Sequence, residues 1–161
     1  MTQLKITKPT FRLVSFLIIY CFHQFCFAAP SEISSESLAL KGLRSWSAFE
    51  CSILASKSGD TREQERLFKL GYSEGLLFLQ ALRDKKITQD HLKSTVPYIL
   101  LLLIEGPNDD FILGRVYASV EKSVLDDIYN TDGKLNSDEI QKIKASSKFR
   151  KCNCQLLLAT P

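Results

Sequence analysis

The chain has 161 residues, of which 24% are charged, with 21 basic and 18 acidic side chains and a formal net charge of +3. The three excess positive charges, Lys5, Lys8 and Arg12, lie within the first 28 residues, so residues 29–161 carry 18 charges of each sign. A balanced chain lacks the basic surplus with which proteins bind phosphate backbones, and the sequence argues against a nucleic-acid partner.

The first 28 residues have the three parts of a secretory signal peptide. Their basic start is followed by the ten-residue apolar run LVSFLIIYCF, and Cys26 and Ala28 supply small residues at the −3 and −1 positions of a cleavage site. Ten apolar residues form a helix of about 15 Å, half the thickness of the hydrocarbon core of a bilayer. We therefore predict cleavage near Ala28, a secreted or periplasmic location, and no transmembrane segment in the mature chain.

The sequence after the leader fits one domain. Residues 29–37 are polar and predict a flexible lead-in, and residues 38–161 predict a helical domain. A chain of this size buries roughly two thirds of its unfolded surface, enough for a substantial core. We predict a single small all-α domain of about five helices after the cleaved signal peptide.

Apolar residues recur at helical spacing along most of this domain. Gly59 is suited to the left-handed exit of the first helix, Asp60 and Glu63 form a capping box for the second, and Asn108 can cap a later one. A last helix is predicted at about 137–147. The predicted stripes are Leu43, Trp46, Phe49, Ile53 and Leu54; Leu67, Phe68, Gly71, Gly75, Phe78, Leu79 and Leu82; Phe111, Ile112, Val116, Val120, Val124 and Ile128; and Ile140 and Ile143.

The segment YILLLLI at 98–104 is apolar on every side and too short to span a bilayer. We predict that it is the buried central helix of a bundle, against which the small residues Gly71 and Gly75 pack closely. A buried strand is the alternative for so short a run, but the chain offers no second strand-like segment to pair with it.

Three cysteines remain after removal of the leader: Cys51, Cys152 and Cys154. An oxidising compartment favours a disulfide between Cys51 and either Cys152 or Cys154, which leaves one thiol over. Closing a loop of this length stabilises a fold by up to about 4.7 kcal/mol in the chain-entropy model.

The stretch IYNTDGKLNSDE at 128–139 resembles the calcium-binding loop of EF-hand proteins. With Gly133 at the sixth position of such a loop, oxygen-bearing side chains fall at positions 3, 5, 9 and 12, whereas Ile128 occupies the first ligand position. The resemblance implies a weak calcium site. Its ligands would be Asn130, Asp132, Asn136 and Glu139.

The residues at 128–139 are also explained by a turn that binds no metal. Asp132-Gly133 makes a tight turn after a helix, and Asn136 with Glu139 three residues later can cap the next helix. Both interpretations of the loop remain open at this point.

Catalytic motifs are sparse, and we predict no catalytic residue and no bound cofactor, with calcium at the loop just described as the alternative. After the leader the only histidine is His91, which could pair with Cys51 or a serine as base and nucleophile in an unrecognised hydrolase. No phosphate loop, nucleophile elbow or metalloprotease motif supports such an activity.

The segment 142–151 carries five positive charges and no acidic residue. One explanation is a helix whose basic last turns match its own dipole. The other is contact with an anionic membrane surface or with an acidic partner. The basic residues are Lys142, Lys144, Lys148, Arg150 and Lys151.

Trp46 and Cys51, followed by Gly71-Tyr72-x-x-Gly75, resemble the sequence of small exported bacterial immunity proteins. Those proteins carry another cysteine near the Gly-Tyr step, where this chain has leucine and phenylalanine. The resemblance implies an inhibitor-like role. We therefore expect a small exported helical protein, non-catalytic, that binds a protein partner or associates with the envelope, with calcium binding or hydrolysis as alternatives.

Overall fold

The computed structural model of the protein describes residues 33–157. The predicted signal peptide, and residues 29–32 of the predicted lead-in, lie outside this range. The described residues form six α-helices, one two-stranded hairpin and a closing 3₁₀ turn, which confirms the predicted small all-α domain. The elements are α1 (Ser35–Ser58), α2 (Thr61–Arg83), α3 (Gln89–Thr95), α4 (Tyr98–Leu101), α5 (Asp109–Tyr129), β1 (Asn130–Thr131), β2 (Lys134–Leu135), α6 (Asp138–Lys151) and the 3₁₀ turn Cys154–Leu156.

Local capping signals set the boundary between the first two helices. Helix α1 ends at Gly59, whose φ of 90° is the left-handed conformation that glycine adopts without a steric penalty. Asp60 then caps α2, because its side chain accepts a hydrogen bond of 3.0 Å from the backbone N–H of Glu63. The Glu63 carboxylate binds Arg66 and does not return to the cap, so only half of the predicted capping box forms.

Helix α1 is the central element of the domain. It packs against α2, α3, α5 and α6, and its side chains Phe49, Ile53 and Leu54 are buried in the core. Leu43 is 37% exposed, although the helical period had placed it on the core face. The helix begins at Ser35, inside the segment predicted as a lead-in, with the side chain of Ser34 as its N-cap.

Small residues bring α1, α2 and α5 close together. A Cβ atom on Gly71 would lie 2.6 Å from the Phe49 ring, and one on Gly75 would lie 2.5 Å from Leu113. The Ser45 hydroxyl donates a 2.7 Å hydrogen bond to the carbonyl of Gly71. The prediction that these glycines pack on segment 98–104 is therefore wrong, because their partners belong to α1 and α5.

Segment 98–104 is not a central helix. Helix α4 covers only Tyr98–Leu101, and Leu100 is its one buried residue. Pro97 precedes the segment and Gly106-Pro107 follow it, so little room exists for regular structure. An apolar run without a polar face gives no signal about which side faces the core, and the prediction of full burial was wrong for that reason.

Helix α5 follows the predicted pattern except at Phe111, which was predicted in its apolar stripe and is 49% exposed, whereas α6 does not follow its pattern. Asn108 caps α5 by accepting a 2.9 Å hydrogen bond from the Phe111 N–H. In α6 the buried residues are Gln141 and Ala145, whereas Ile140 and Ile143, predicted as its apolar stripe, are 47% and 61% exposed. The buried residues of α5 are Ile112, Leu113, Val116, Val120, Val124, Leu125 and Ile128.

A disulfide fixes the C-terminal segment to the core. Cys51 of α1 bonds Cys154 with a Cα–Cα distance of 5.4 Å, which settles the choice between the two predicted partners. The bridge spans 103 positions in sequence, and both cysteines are buried. Arg66 adds a second attachment by donating a 2.6 Å hydrogen bond to the Leu157 carbonyl. Across residues 33–157, no helix has both the length and the apolar composition required to cross a bilayer.

Candidate functional site

The segment that resembles an EF-hand loop is a short β-hairpin. Asn130 pairs with Leu135 and Thr131 with Lys134 in antiparallel register. The two turn residues between them, Asp132 and Gly133, have φ of 48° and 74°. Positive φ at both central positions is the requirement of the type I′ hairpin turn, for which Asp-Gly is a preferred sequence.

Asn136 is held by contacts inside the protein. Its side-chain amide donates a 2.8 Å hydrogen bond to the Ile128 carbonyl, and its backbone N–H donates to the Tyr129 carbonyl at 2.7 Å. Ser137, and not Asn136, is the N-cap of α6. The predicted cap was therefore one residue too early, because the Asn136 side chain is used to close the C-terminal end of α5.

The ammonium group of Lys144 contacts the same loop. It donates hydrogen bonds to the Thr131 hydroxyl at 2.9 Å and to the Asn130 carbonyl at 3.3 Å. Asn130 and Asp132 lie on the hairpin and Glu139 in the first turn of α6. Among the described residues, no group of three or more His, Cys, Asp or Glu side chains is arranged to hold a metal ion. Calcium binding by the four predicted ligands stays a prediction.

Three of the five basic residues in 142–151 contact the ends of neighbouring helices. Lys142 lies beside Gly59 at the end of α1, and Lys148 approaches the Val124 carbonyl near the end of α5 at 3.5 Å. Lys142 and Lys144 thus place positive charge at the C-termini of α1 and α5, and not only at that of their own helix. Arg150 and Lys151 remain exposed, and membrane-surface contact stays a prediction.

Glu74 is a buried acidic residue between α1 and α2. Its side chain is 5% exposed and lies 3.2 Å from the Lys41 ammonium and 3.7 Å from the Arg44 guanidinium. A buried carboxylate needs such partners to offset its loss of hydration. A cavity of about 450 Å³ adjoins this cluster and is lined in part by Leu38 and Leu77.

The remaining thiol belongs to Cys152, which is exposed. Partial burial raises the pKa of this thiol, the nearby charge of Glu50 raises it further, and Lys148 lowers it. A raised pKa keeps the thiol protonated and makes it a poor nucleophile. The surroundings of Cys152 therefore favour the thiol over the reactive thiolate.

His91 lies against a serine, as the hydrolase alternative required. Its Nδ1 atom is 2.8 Å from the Ser35 hydroxyl, whereas Cys51 is consumed by the disulfide. Ser35 also accepts a 2.8 Å hydrogen bond from the Thr88 N–H, so the three residues join the start of α1 to the start of α3. Among the described residues, no carboxylate bonds the imidazole to orient it as a base. The contact between His91 and Ser35 is explained by its role in holding α3 against α1.

Tyr98, Ile99 and Leu102 form an exposed apolar cluster, which we call the apolar turn. Their exposed fractions are 73%, 42% and 55%. Tyr98 and Leu102 are four residues apart and share one side of the turn. Buried Leu100 anchors the turn to the core, so its position is fixed by packing.

A second, partly exposed cluster, the aromatic seam, consists of exposed Phe68 and half-buried Tyr72 of α2 and half-buried Tyr117 of α5. The Phe68 ring lies 6.4 Å from the Tyr72 ring and 5.5 Å from the Tyr117 ring. Phe68 is 42% exposed, which corrects the prediction that it belongs to the core stripe. Underneath, the buried ring of Phe49 contacts both Phe68 and Tyr117.

Comparison with protein-family models, with curated proteins and with solved structures gives no match to this chain. The resemblances to EF-hand loops and to immunity proteins therefore depend on the quoted residues alone. Function has to be inferred from the surface of the domain.

Proposed function

We propose that this protein is exported and acts by binding a protein partner, without a catalytic step of its own. The leader-like composition of residues 1–28 supports export. The Cys51–Cys154 disulfide supports it too, because disulfides form and persist in oxidising compartments such as the periplasm or the extracellular space. An inhibitor-like role agrees with the small size and balanced charge of the mature chain.

The apolar turn carries the proposal that the protein works by binding. The apolar turn exposes three large apolar side chains within five residues. Large exposed apolar patches on soluble proteins mark sites where partners bind. Tyr98 contributes an aromatic ring with a polar tip, a residue type enriched in the energetically dominant parts of protein interfaces. The turn is also anchored by Leu100, so a partner would meet a preformed surface.

The composition of the turn favours a protein partner over a lipid surface. Helices that bind anionic membranes combine apolar residues with lysine or arginine. Here Lys93 and Glu105 are the nearest charged residues in sequence on either side, and their charges cancel. A protein surface that offers an apolar pocket needs no such basic rim.

The proposal is tested by substituting Leu102→Glu, which places a charge at the centre of the turn. Leu102 is 55% exposed, so the fold should tolerate the change, and far-ultraviolet circular dichroism with a melting curve checks this. The matched control is Leu156→Glu, where the leucine is 69% exposed in the C-terminal turn. The tagged proteins are used to capture partners from the cell envelope of their own organism.

The expected result is one specific protein retained by the wild type and by Leu156→Glu and lost with Leu102→Glu. Its direct binding is then confirmed with the two purified proteins. Equal retention by all three forms would contradict the role of the apolar turn. Hydrolysis of small ester or amide substrates by the purified protein would contradict the non-catalytic role.

A further inference from the structure

The aromatic seam is a rigid surface. Phe68 stands half-exposed above Phe49, which is 1% exposed, at a ring distance of 5.8 Å, and Tyr117 meets Phe49 edge-on at 5.4 Å. Rings held by buried neighbours lose little conformational freedom when another molecule covers them. The faces of such rings carry partial negative charge and attract cations.

The α5 side of the seam is acidic at both ends. Asp110, Gly114, Tyr117 and Glu121 follow one another at intervals of four, three and four residues, so they form one stripe along the helix. Asp110 accepts a hydrogen bond from the Tyr72 hydroxyl. Among the described residues, neither Asp110 nor Glu121 forms a salt bridge with a basic side chain.

The nearby carboxylates contribute to a raised pKa at both Tyr72 and Tyr117. The hydrogen bond to Asp110 raises the pKa of Tyr72, with burial and the charges of Asp110 and Asp109 adding to it. Burial raises the pKa of Tyr117, and the charge of Glu121 raises it further, against a smaller opposite effect of a hydrogen bond with Ser52. The carboxylates of Asp110 and Glu121 thus lie close enough to the two tyrosines to act on them, whereas Asp109 is paired with Arg83. On the α2 side the charge of Lys69 is offset by Glu65 at 2.6 Å.

Gly114 has no side chain and therefore leaves a gap in the middle of the stripe, which we call the open step. Gly114 is exposed, and among the described residues no atom apart from its chain neighbours and the nearby backbone of α5 lies within 4 Å of the position that its Cβ would occupy. Glycine is unfavourable in the interior of a helix, and here no packing inside the domain requires it. The open step leaves room for a side chain from another molecule beside Tyr117.

We propose that the aromatic seam binds an arginine or lysine side chain of a partner protein, with the cation over the rings of Phe68 and Tyr117 and near the carboxylates of Asp110 and Glu121. Rings and carboxylates both favour a cation, whereas the acidic stripe disfavours phosphate groups and anionic lipid. This surface is independent of the apolar turn, and either proposal can fail while the other stands.

The test is a nuclear magnetic resonance titration of the ¹⁵N-labelled protein, expressed from residues 1–161. Two synthetic peptides serve as probes: acetyl-Leu-Arg-Leu-Leu-Arg-amide and its analogue with glutamate in place of each arginine. The arginine peptide should shift the amide resonances of Phe68, Tyr72, Gly114 and Tyr117. The glutamate peptide should bind there roughly tenfold more weakly or not at all.

Two variants separate binding from folding. Gly114→Gln fills the open step and should weaken binding of the arginine peptide roughly tenfold while the melting temperature stays equal or rises. Glu121→Lys should weaken it as well. Ser123→Gln is the matched control, because Ser123 is exposed on the opposite side of α5 and should leave binding unchanged.

Three results would overturn the inference. The first is an absence of seam shifts with the arginine peptide, and the second is equal binding of the glutamate peptide. The third is a set of seam shifts that depends on protein concentration without any peptide, which would identify a second copy of the chain as the occupant. None of these results affects the test at Leu102.

Discussion

The ammonium of Lys144 lies 2.9 Å from the Thr131 hydroxyl and 3.3 Å from the Asn130 carbonyl, so a side-chain cation from α6 already contacts the loop that resembles a calcium site. Beside it, Asn136 is fixed by the carbonyl groups of Ile128 and Tyr129. Ile128, at the first ligand position, is 1% exposed and belongs to the core. The hairpin thus has a structural use for each of these residues without a metal.

Calcium should leave the stability of the protein unchanged. We expect the melting temperature to be the same with about 5 mM calcium chloride and with a chelator, because Asn130 and Asn136 already have partners inside the protein. This calcium concentration would fill even a weak EF-hand site, whose dissociation constant is up to about 1 mM. Differential scanning calorimetry measures this, with magnesium as the control ion. A rise in melting temperature that Glu139→Ala abolishes would instead establish the predicted site at Asn130, Asp132, Asn136 and Glu139.

Removal of the disulfide should destabilise the domain strongly. The double variant Cys51→Ala/Cys154→Ala should lose about 3–5 kcal/mol of unfolding free energy, because the bridge closes a loop of about 100 residues. Helix α6 fully buries only Gln141 and Ala145, so the bond adds to a modest buried contact. Urea unfolding followed by circular dichroism provides the measurement.

Cys152→Ser is the control for the disulfide, since the thiol of Cys152 is exposed and not bonded. This variant should unfold at the wild-type urea concentration. Iodoacetamide should label Cys152 in the unreduced wild type and leave Cys51 and Cys154 unmodified, as intact-mass and peptide analysis can show. Labelling of Cys154 with Cys152 protected would mean that the other pairing forms.

Two glycine substitutions should have opposite effects on stability. Gly71→Ala places a Cβ 2.6 Å from the buried Phe49 ring and should cost about 1–3 kcal/mol through overpacking. Gly114→Ala meets no atom within 4 Å and should stabilise by about 0.5–1 kcal/mol, because alanine is the better helix former. Thermal unfolding of the two variants beside the wild type measures both changes, and destabilisation by Gly114→Ala would contradict the open step.

Features encoded by neighbouring residues could be predicted from the sequence. Gly59, Asp60 and Asn108 act at the helix ends as expected, because capping depends on only a few adjacent positions. The stripe from Val116 to Val124 is buried as its period indicated. The pairing of Cys51 was limited to two candidates by counting alone.

Features that depend on tertiary packing could not be predicted. The run at 98–104 contains no polar residue to show which side faces water, and its exposed Tyr98 and Leu102 became visible only in the fold. The exposure of Phe68 depends on how close α5 lies to α2. The sequence does contain one overlooked signal, since Asp110, Gly114, Tyr117 and Glu121 share a helical stripe that places a glycine between two acids.

Acid should weaken the attachment of the C-terminal segment through Glu63. The hydrogen bond from Arg66 holds the pKa of this carboxyl below its ordinary value. Because the folded-state pKa is lower than the unfolded one, the stabilisation is complete above the ordinary pKa, about 4.3, and is lost as pH falls through the folded value. Arg66 also binds the Leu157 carbonyl, so protonation of Glu63 should loosen both contacts.

Glu63→Gln should therefore reduce stability by about 0.5–1 kcal/mol at about pH 7 and by much less at about pH 3, where the wild-type carboxyl is protonated as well. Urea unfolding at the two pH values gives the difference. Glu65→Gln is the control: the hydrogen bond from Lys69 also lowers the pKa of Glu65, but that side chain is 68% exposed. Its loss at neutral pH should be smaller, because solvent screens an exposed pair. An equal loss for Glu63→Gln at both pH values would show that its contribution is not electrostatic.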